Sequence, residues 1–281
     1  MILVTGSTGK IGQHLIPALR AKGATFKALA HSPTSLQALR AQGAATVEGD
    51  LGRLEPALEG VRRLFLLSVG PGFDRLEVAA IEAAKAAGVK QVVKLSAAGV
   101  SADSSNPLMR AHARAERHLE DSGLAFTILR PNFFMQNWLA FYAPAIKAGQ
   151  PVCVNAGEGR LAWIDARDIA EAAATILTED GHEGLVYDLT GPEALSHAEV
   201  AERLARRLER PVSYLPVPDA AAFQALKGMG MDPWYAYGMV TLHQGVRRGL
   251  AEPVTGTGEL ITGRASRTID AFLDEHRAAF A

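Results

Sequence analysis

The sequence predicts an α/β fold, a doubly wound parallel sheet followed by a smaller α/β lobe. Three observations carry this reading. Short apolar strands alternate with amphipathic helical stretches through residues 1–130. The first strand runs directly into a glycine-rich turn, GSTGKIG at residues 6–12. Several helical stretches stop at a glycine, as a left-handed helix end requires.

The elements follow in order. Ile2 to Val4 reads as a strand, Gly6, Gly9 and Gly12 punctuate the turn, and Ile11, Leu15, Ile16 and Leu19 recur at helical spacing behind it. Glycine lets the backbone approach a ligand closely. The helix start offers free N–H groups and the positive end of its dipole. This is the pyrophosphate seat of a Rossmann-type unit, here at Gly6, Ser7, Thr8, Gly9, Lys10, Ile11 and Gly12. Further strands are expected at 26–30, 46–48, 63–68, 91–96 and 126–130, joined by helices at 11–22, 35–42, 73–87 and 108–121 that end near Gly23, Gly43, Gly88 and Gly123. Right-handed crossovers are expected between them.

After Arg130 the rhythm changes. An aromatic run, PNFFMQNWLAFY, is followed by an expected helix at 165–177, a strand at 185–189, a helix at 196–208 and a strand at 212–217. A helical region at 219–250 is broken by Gly228, Gly230 and Pro233, and the last helix is expected at about 266–279. Residues 1–130 thus read as the nucleotide-binding domain and 131–281 as a smaller substrate lobe, partly interleaved with the sheet.

Composition narrows the function classes. With 281 residues, 48% hydrophobic and net charge −1, the chain has ample core material and no basic excess that would point to nucleic acid. No apolar run reaches the ~20 residues that span a bilayer, and the N-terminus reads as a strand, not a signal peptide. Cys153 is the only cysteine, and the eight histidines form no HExxH pair, so neither an intrachain disulfide nor a structural metal is expected. A cytoplasmic protein is expected.

The cofactor choice turns on the end of the second strand. NAD-binding units place an acid there, ~20 residues beyond the last glycine, on the adenosine ribose. Ala30, His31 and Ser32 occupy that place without a carboxylate. His31, Ser32 and Lys10 offer donors to a 2′-phosphate, or are ordinary loop residues; with the acid missing they favour NADP(H) over NAD(H). Asp50, 38 residues beyond Gly12, is not that acid. It meets an adenine amino group or caps a turn.

The segments VTGSTGKIG, VEGDL at 47–51, LSAAG at 95–99, LRPNFFMQN at 129–137 and AWIDARDIA at 162–170 resemble the NmrA-like atypical short-chain dehydrogenase/reductases. That group includes quinone oxidoreductase type 2, triphenylmethane reductase and the ergot-alkaloid festuclavine and agroclavine dehydrogenases. The resemblance covers nearly the whole chain. It implies NADP(H) across the strand ends, with contacts from the glycine turn and from the segments after strands two to five, which hold His31, Ser32, Asp50, Leu51, Ser68, Val69 and Ser96. It also implies that Asn132 and Phe133 lie near the nicotinamide.

One departure from the wider superfamily decides the chemistry. Typical members use Tyr-x-x-x-Lys to exchange a proton with a carbonyl. None of the five tyrosines here, Tyr142, Tyr187, Tyr214, Tyr235 and Tyr237, has a lysine four residues later. The corresponding helix carries His112 and Glu116 instead, on one face. Simple ketones, and epimerase or dehydratase chemistry, are therefore disfavoured. Quinones, iminium ions and dye-like cations are already electrophilic and need mainly proximity to the nicotinamide. His112 is the catalytic candidate, as proton or hydrogen-bond donor, against the plainer reading of a solvated helix histidine. Phe134, Met135, Trp138, Trp234 and Tyr235 are candidate walls of a pocket for a flat apolar or aromatic substrate, or else core. Asp165, Arg167 and Asp168 form a charge cluster that reads as a helix cap tied to the sheet. Two functions remain open: an NADPH-dependent reductase of conjugated electrophiles, and a non-catalytic NADP(H)-binding redox sensor. An apolar helix such as 73–87 leaves room for a homodimer.

Overall fold

A computed structural model describes residues 1–281. In chain order it shows β1 (Ile2–Val4), α1 (Gly12–Ala21), β2 (Phe26–Ala30), α2 (Pro33–Ala41), β3 (Ala45–Glu48), β4 (Arg63–Leu66), α3 (Phe73–Ala86), β5 (Gln91–Leu95), α4 (Pro107–Asp121) and β6 (Ala125–Pro131). The second half adds α5 (Ala143–Lys147), β7 (Val152–Val154), β8 (Arg160–Leu161), α6 (Ala166–Thr178), β9 (Leu185–Leu189), β10 (Leu195–Ser196), α7 (His197–Leu208) and β11 (Tyr214–Pro216). It ends with α8 (Asp219–Gly228), α9 (Pro233–Arg247), α10 (Thr257–Thr262) and α11 (Ile269–Glu275).

Seven strands pair in parallel in the order β3-β2-β1-β4-β5-β6-β9. Alternate strand residues face opposite sides. Ile2, Val4, Phe65, Val93 and Leu129 pack under α1, α2 and α6, while Leu3, Leu64, Leu66, Val92 and Ile128 meet α3 and α4. The second half returns α6 and β9 to this sheet. Its remaining elements build a third core around Trp138, Trp163, Leu204 and Phe272, with two small sheets, β8–β10 and β7–β11. No helix is long and apolar enough to cross a membrane.

The glycines expected to end helices do so, at φ +66° (Gly23), +74° (Gly43), +73° (Gly88) and +79° (Gly123). The later elements need correction. The strand expected at 212–217 is only Tyr214–Pro216, and the last helix stops at Glu275 before a 3-10 turn, Arg277–Ala279. The π-helical turn Trp138–Tyr142, α5, α10, β7, β8 and β10 were not expected. Strands of two or three residues carry no measurable alternation, and a single π turn has no 3.6-residue period.

Candidate cofactor and substrate site

The sheet order reverses between β1 and β4, which opens a crevice at their C-terminal ends. The β1–α1 turn lies at that crevice. Gly6 takes φ +60°, a conformation that costs other L-residues roughly 1 kcal/mol or more. Gly9 N–H donates to the Gly6 carbonyl at 3.0 Å. Gly12 lies beneath: a Cβ there would stand 2.3 Å from the Gly6 oxygen and 2.5 Å from Ser7 Cα. Ser7 is buried and donates to Val4 O at 2.7 Å, while Ile11 belongs to the sheet core, so both shape the turn from inside. Thr8 and Gly9 are exposed. The N–H groups of Lys10, Ile11 and Gly12 find no acceptor within the protein, the condition for anion binding at a helix start. Further along the strand ends, the Ser96 hydroxyl after β5 is buried and has no partner. A dinucleotide fits these residues: Gly6, Gly9 and Gly12 let the turn close on itself without a Cβ in the way, the N–H groups behind it are open, and Ser96 has a hydroxyl to give.

The other expected cofactor residues divide. His31 is exposed at the end of β2, and Ser32 caps α2 by accepting from Ser35 N–H at 3.2 Å. Asp50 caps the 3-10 turn Leu51–Arg53, accepting from Gly52 N–H at 2.7 Å, which is the turn-capping alternative. Ser68 donates through N–H (3.3 Å) and Oγ (3.2 Å) to the Glu77 carboxylate, and Val69 beside it is exposed. Lys10 does not turn toward His31 and Ser32. Its ammonium donates to Asn137 Oδ1 at 3.1 Å and lies 5.2 Å from the centre of the Phe141 ring, linking the turn to the second lobe. Asn132 is similarly engaged: its amide donates to Ala251 O at 2.9 Å and accepts from Phe133 N–H at 2.8 Å.

On the substrate side the structure keeps some candidates and moves others. Met135 and Trp138 are completely buried in the third core, so they are not pocket walls. They were singled out because an aromatic run reads alike whether it lines a pocket or fills a core. Phe133 and Phe134 are half-buried; Phe133 faces His243 at 5.5 Å and Trp163 at 6.2 Å between ring centres. Trp234 and Tyr235, both half-buried, begin α9. Trp234 approaches Phe73 at 6.5 Å, and Phe73 lies 4.5 Å from the His112 ring. A glycine brings these helices together: Gly238 of α9 lies against Leu108 of α4, where a Cβ would come within 2.5 Å, and its carbonyl accepts from Asn106 Nδ2 at 2.8 Å. The candidate site thus joins the glycine turn, Ser96 and His112 with the half-buried rings of Trp234 and Tyr235, which pack against the buried Phe73.

His112 is half-buried on α4. Burial and the Lys94 ammonium hold its pKa well below the ordinary histidine range. The expectation of a side chain that titrates near neutrality is therefore corrected: the ring is neutral at pH 7 and acts only as a hydrogen-bond donor or acceptor. Glu116, its partner in the sequence pattern, points elsewhere and pairs with Arg130. Asp165 caps α6 by accepting from Arg167 N–H at 2.8 Å, and Arg167 reaches on to Glu275, while Asp168 holds Arg267. That cluster is structural, as the cap reading had it.

Sequence reasoning missed two groups. Lys94 and Glu77 form a fully buried ion pair, Nζ to Oε2 2.7 Å, directly behind His112. The signal was present: a lysine inside the otherwise apolar strand QVVKL is an anomaly in a central parallel strand. The second is the cluster of His197 and His243 with Tyr142 and Tyr214 in the third core, which no spacing announces.

Comparison with known proteins identifies the family. Residues 6–180 match the family described as NAD(P)H-binding. The chain is 39% identical to the NAD(P)H azoreductase of Xenophilus azovorans, over 100% of this chain and 99% of the relative. It is 36% identical to quinone oxidoreductase 2 of Escherichia coli (strain K12), over 82% of each chain. The structure of the Escherichia coli NADPH-dependent quinone oxidoreductase QOR2 complexed with NADPH superposes with a TM-score of 0.89 at 31% identity, covering 98% of this chain and 99% of that one. The chain therefore belongs to the NAD(P)H-binding family, as an oxidoreductase of the NmrA-like atypical short-chain dehydrogenase/reductase type.

Proposed function

We propose that the protein is an NADPH-dependent reductase that delivers hydride to a conjugated electrophile such as a quinone, an azo compound or a dye-like cation. The observation that carries this reading is His112: on the helix where a proton-exchanging tyrosine would stand, the site offers a neutral imidazole beside Phe73, Trp234 and Tyr235. A site without a strong acid suits acceptors that are electrophilic before protonation.

The nucleotide, when bound, supplies the hydride. The protein's residues do the remaining work. The glycine turn and the open N–H groups of Lys10, Ile11 and Gly12 would hold the pyrophosphate, and Ser96 Oγ a ribose hydroxyl. The aromatic wall excludes water and stacks a flat acceptor. His112 offers an N–H to the oxygen or nitrogen on which negative charge grows, and solvent supplies the proton that completes reduction. Preference for NADPH over NADH is supported by the missing carboxylate after β2 and by exposed His31 beside Ser32.

The test is oxidation of NADPH and NADH by the purified protein, followed by absorbance against quinones, azo compounds and cationic dyes, with His112→Ala alongside. Turnover with one acceptor class, reduced roughly 100-fold in the variant for a quinone through loss of the donor to the developing charge, is expected. Tight nucleotide binding with no turnover across the panel would turn the reading toward a redox sensor.

A further inference from the structure

We propose that Lys94 and Glu77 are positioning residues that fix the tautomer of His112, so that its only ring donor is Nε2–H. Lys94 lies on the α3–α4 face of β5, two residues before Ser96, and its side chain and that of Glu77 are completely shielded from solvent. An ammonium has three donors and no acceptor. Three groups stand around Lys94 Nζ: Glu77 Oε2 at 2.7 Å as its ion-pair partner, Leu95 O at 3.2 Å as a hydrogen-bond acceptor, and His112 Nδ1 at 3.5 Å. The third contact is the longest, yet its direction is fixed. Nδ1 facing an ammonium must present its lone pair, which leaves the hydrogen on Nε2.

Glu77 holds the ammonium in place. It spans from α3 to β5 and accepts from Ser68 N–H and Oγ, tying the network to the loop after β4. Stability alone is a weak reason for such a pair, since well-packed apolar residues often replace a buried ion pair without loss. Its place behind the candidate donor supplies a different reason. The other charged groups between these elements are already paired, Asp74 with Arg114 and Glu116 with Arg130. Tyr235, from α9, is kept protonated by burial. Only Lys94 therefore orients the imidazole. The catalytic consequence rests on the function proposed above, whereas the tautomer itself does not.

The experiment is long-range proton–nitrogen NMR of the full-length protein labelled at histidine, with the His112 signals assigned by their loss in His112→Gln. A neutral Nε2–H tautomer is expected between pH 5.5 and 8, on the order of the range in which a free imidazole titrates. Lys94→Met alone leaves Glu77 buried and unpaired and is a folding risk, so the decisive variant is Lys94→Met with Glu77→Gln. In it the Nε2–H form should give way to a mixture of tautomers. If turnover is found, the pH profile of kcat/KM should gain an inflection absent from the parent. An Nδ1–H tautomer in the parent, or an unchanged Nε2–H tautomer in the double variant, would overturn the proposal. Absence of turnover with the expected tautomer would strike only the functional reading.

Discussion

Gly9 and Gly12 occupy the same turn, yet their replacement by alanine should have different consequences. At Gly12 the new Cβ would stand 2.3 Å from Gly6 O and 2.5 Å from two Ser7 backbone atoms. No flexible side chain is available to yield. Helix α1 cannot retreat either, because Leu15, Ile16 and Leu19 are completely buried in the sheet core. The turn itself must open. Overpacking of this kind costs about 1–3 kcal/mol, offset by about 1 kcal/mol of helix propensity. A net loss of ~0–2 kcal/mol corresponds to a fall in Tm of up to roughly 8 °C for a chain of this size. At Gly9 the Cβ would meet only Gly6 O, at 3.2 Å, on an exposed surface. That substitution should change stability by no more than about 0.5 kcal/mol.

Binding separates the pair further. If the backbone at Gly9 must approach the pyrophosphate, Gly9→Ala should weaken NADPH by roughly tenfold or more, about 1.4 kcal/mol, in a protein of unchanged Tm. Gly12→Ala should lose both stability and affinity. Thermal unfolding by circular dichroism and nucleotide titration by calorimetry measure the two quantities independently. Parent-like NADPH affinity in Gly9→Ala would refute the placement of the phosphates over this turn. A stabilised Gly12→Ala would refute the steric argument.

Two further outcomes are expected. His31→Asp places a carboxylate at the end of β2 and should weaken NADPH more than NADH; equal losses in a nucleotide titration would count against a 2′-phosphate there. Burial lowers the pKa of His243 to about 4 and that of His197 in the same direction, so the unfolded chain binds these protons first as pH falls. Stability from this source is complete above the unfolded value near 6.5 and declines toward pH 4, His243 alone contributing a loss of about 2 kcal/mol by pH 5. Urea midpoints at pH 7.5 and 5 should show the decline, and His243→Gln should reduce it; equal pH dependence in parent and variant would remove His243 as its source.

How much of this was legible in the sequence follows from length and period. The four helices up to Pro131 were visible because each is long enough to show its repeat, and the six strands because each is an apolar run bounded by glycine, proline or a helix, the three-residue β1 by the glycine turn it enters. The glycine turn was legible because its chemistry resides in the backbone. Side-chain contacts between distant segments were not. Lys10 reaches Asn137 across 127 positions and Asn132 reaches Ala251 across 119, and nothing local to either residue announces its partner. Trp138 failed for a related reason: hydrophobicity says that a residue leaves water, not whether ligand or protein covers it. His112 was found by its place on α4, but its protonation depends on Lys94, contributed by a different element.

The electrostatics of the site form one pattern once these contacts are known. His112 is held neutral by burial, with Lys94 adding to the effect, and Tyr235 is held protonated. Each titratable ring near the candidate acceptor position thus keeps one charge state across the neutral range. A reductase that protonated a simple ketone would need the opposite, an acid poised near the working pH. Hydride transfer to an electrophile needs fixed dipoles and a dry wall, and its rate should depend little on pH between about 6 and 8. The buried Lys94–Glu77 pair belongs to the same pattern. It places a charge where solvent does not screen it, and its nearest neutral partner is the one imidazole that faces the aromatic wall. The missing tyrosine and the buried lysine are therefore two parts of one arrangement: the site gives up a proton-exchanging group and holds a neutral donor in a single orientation instead.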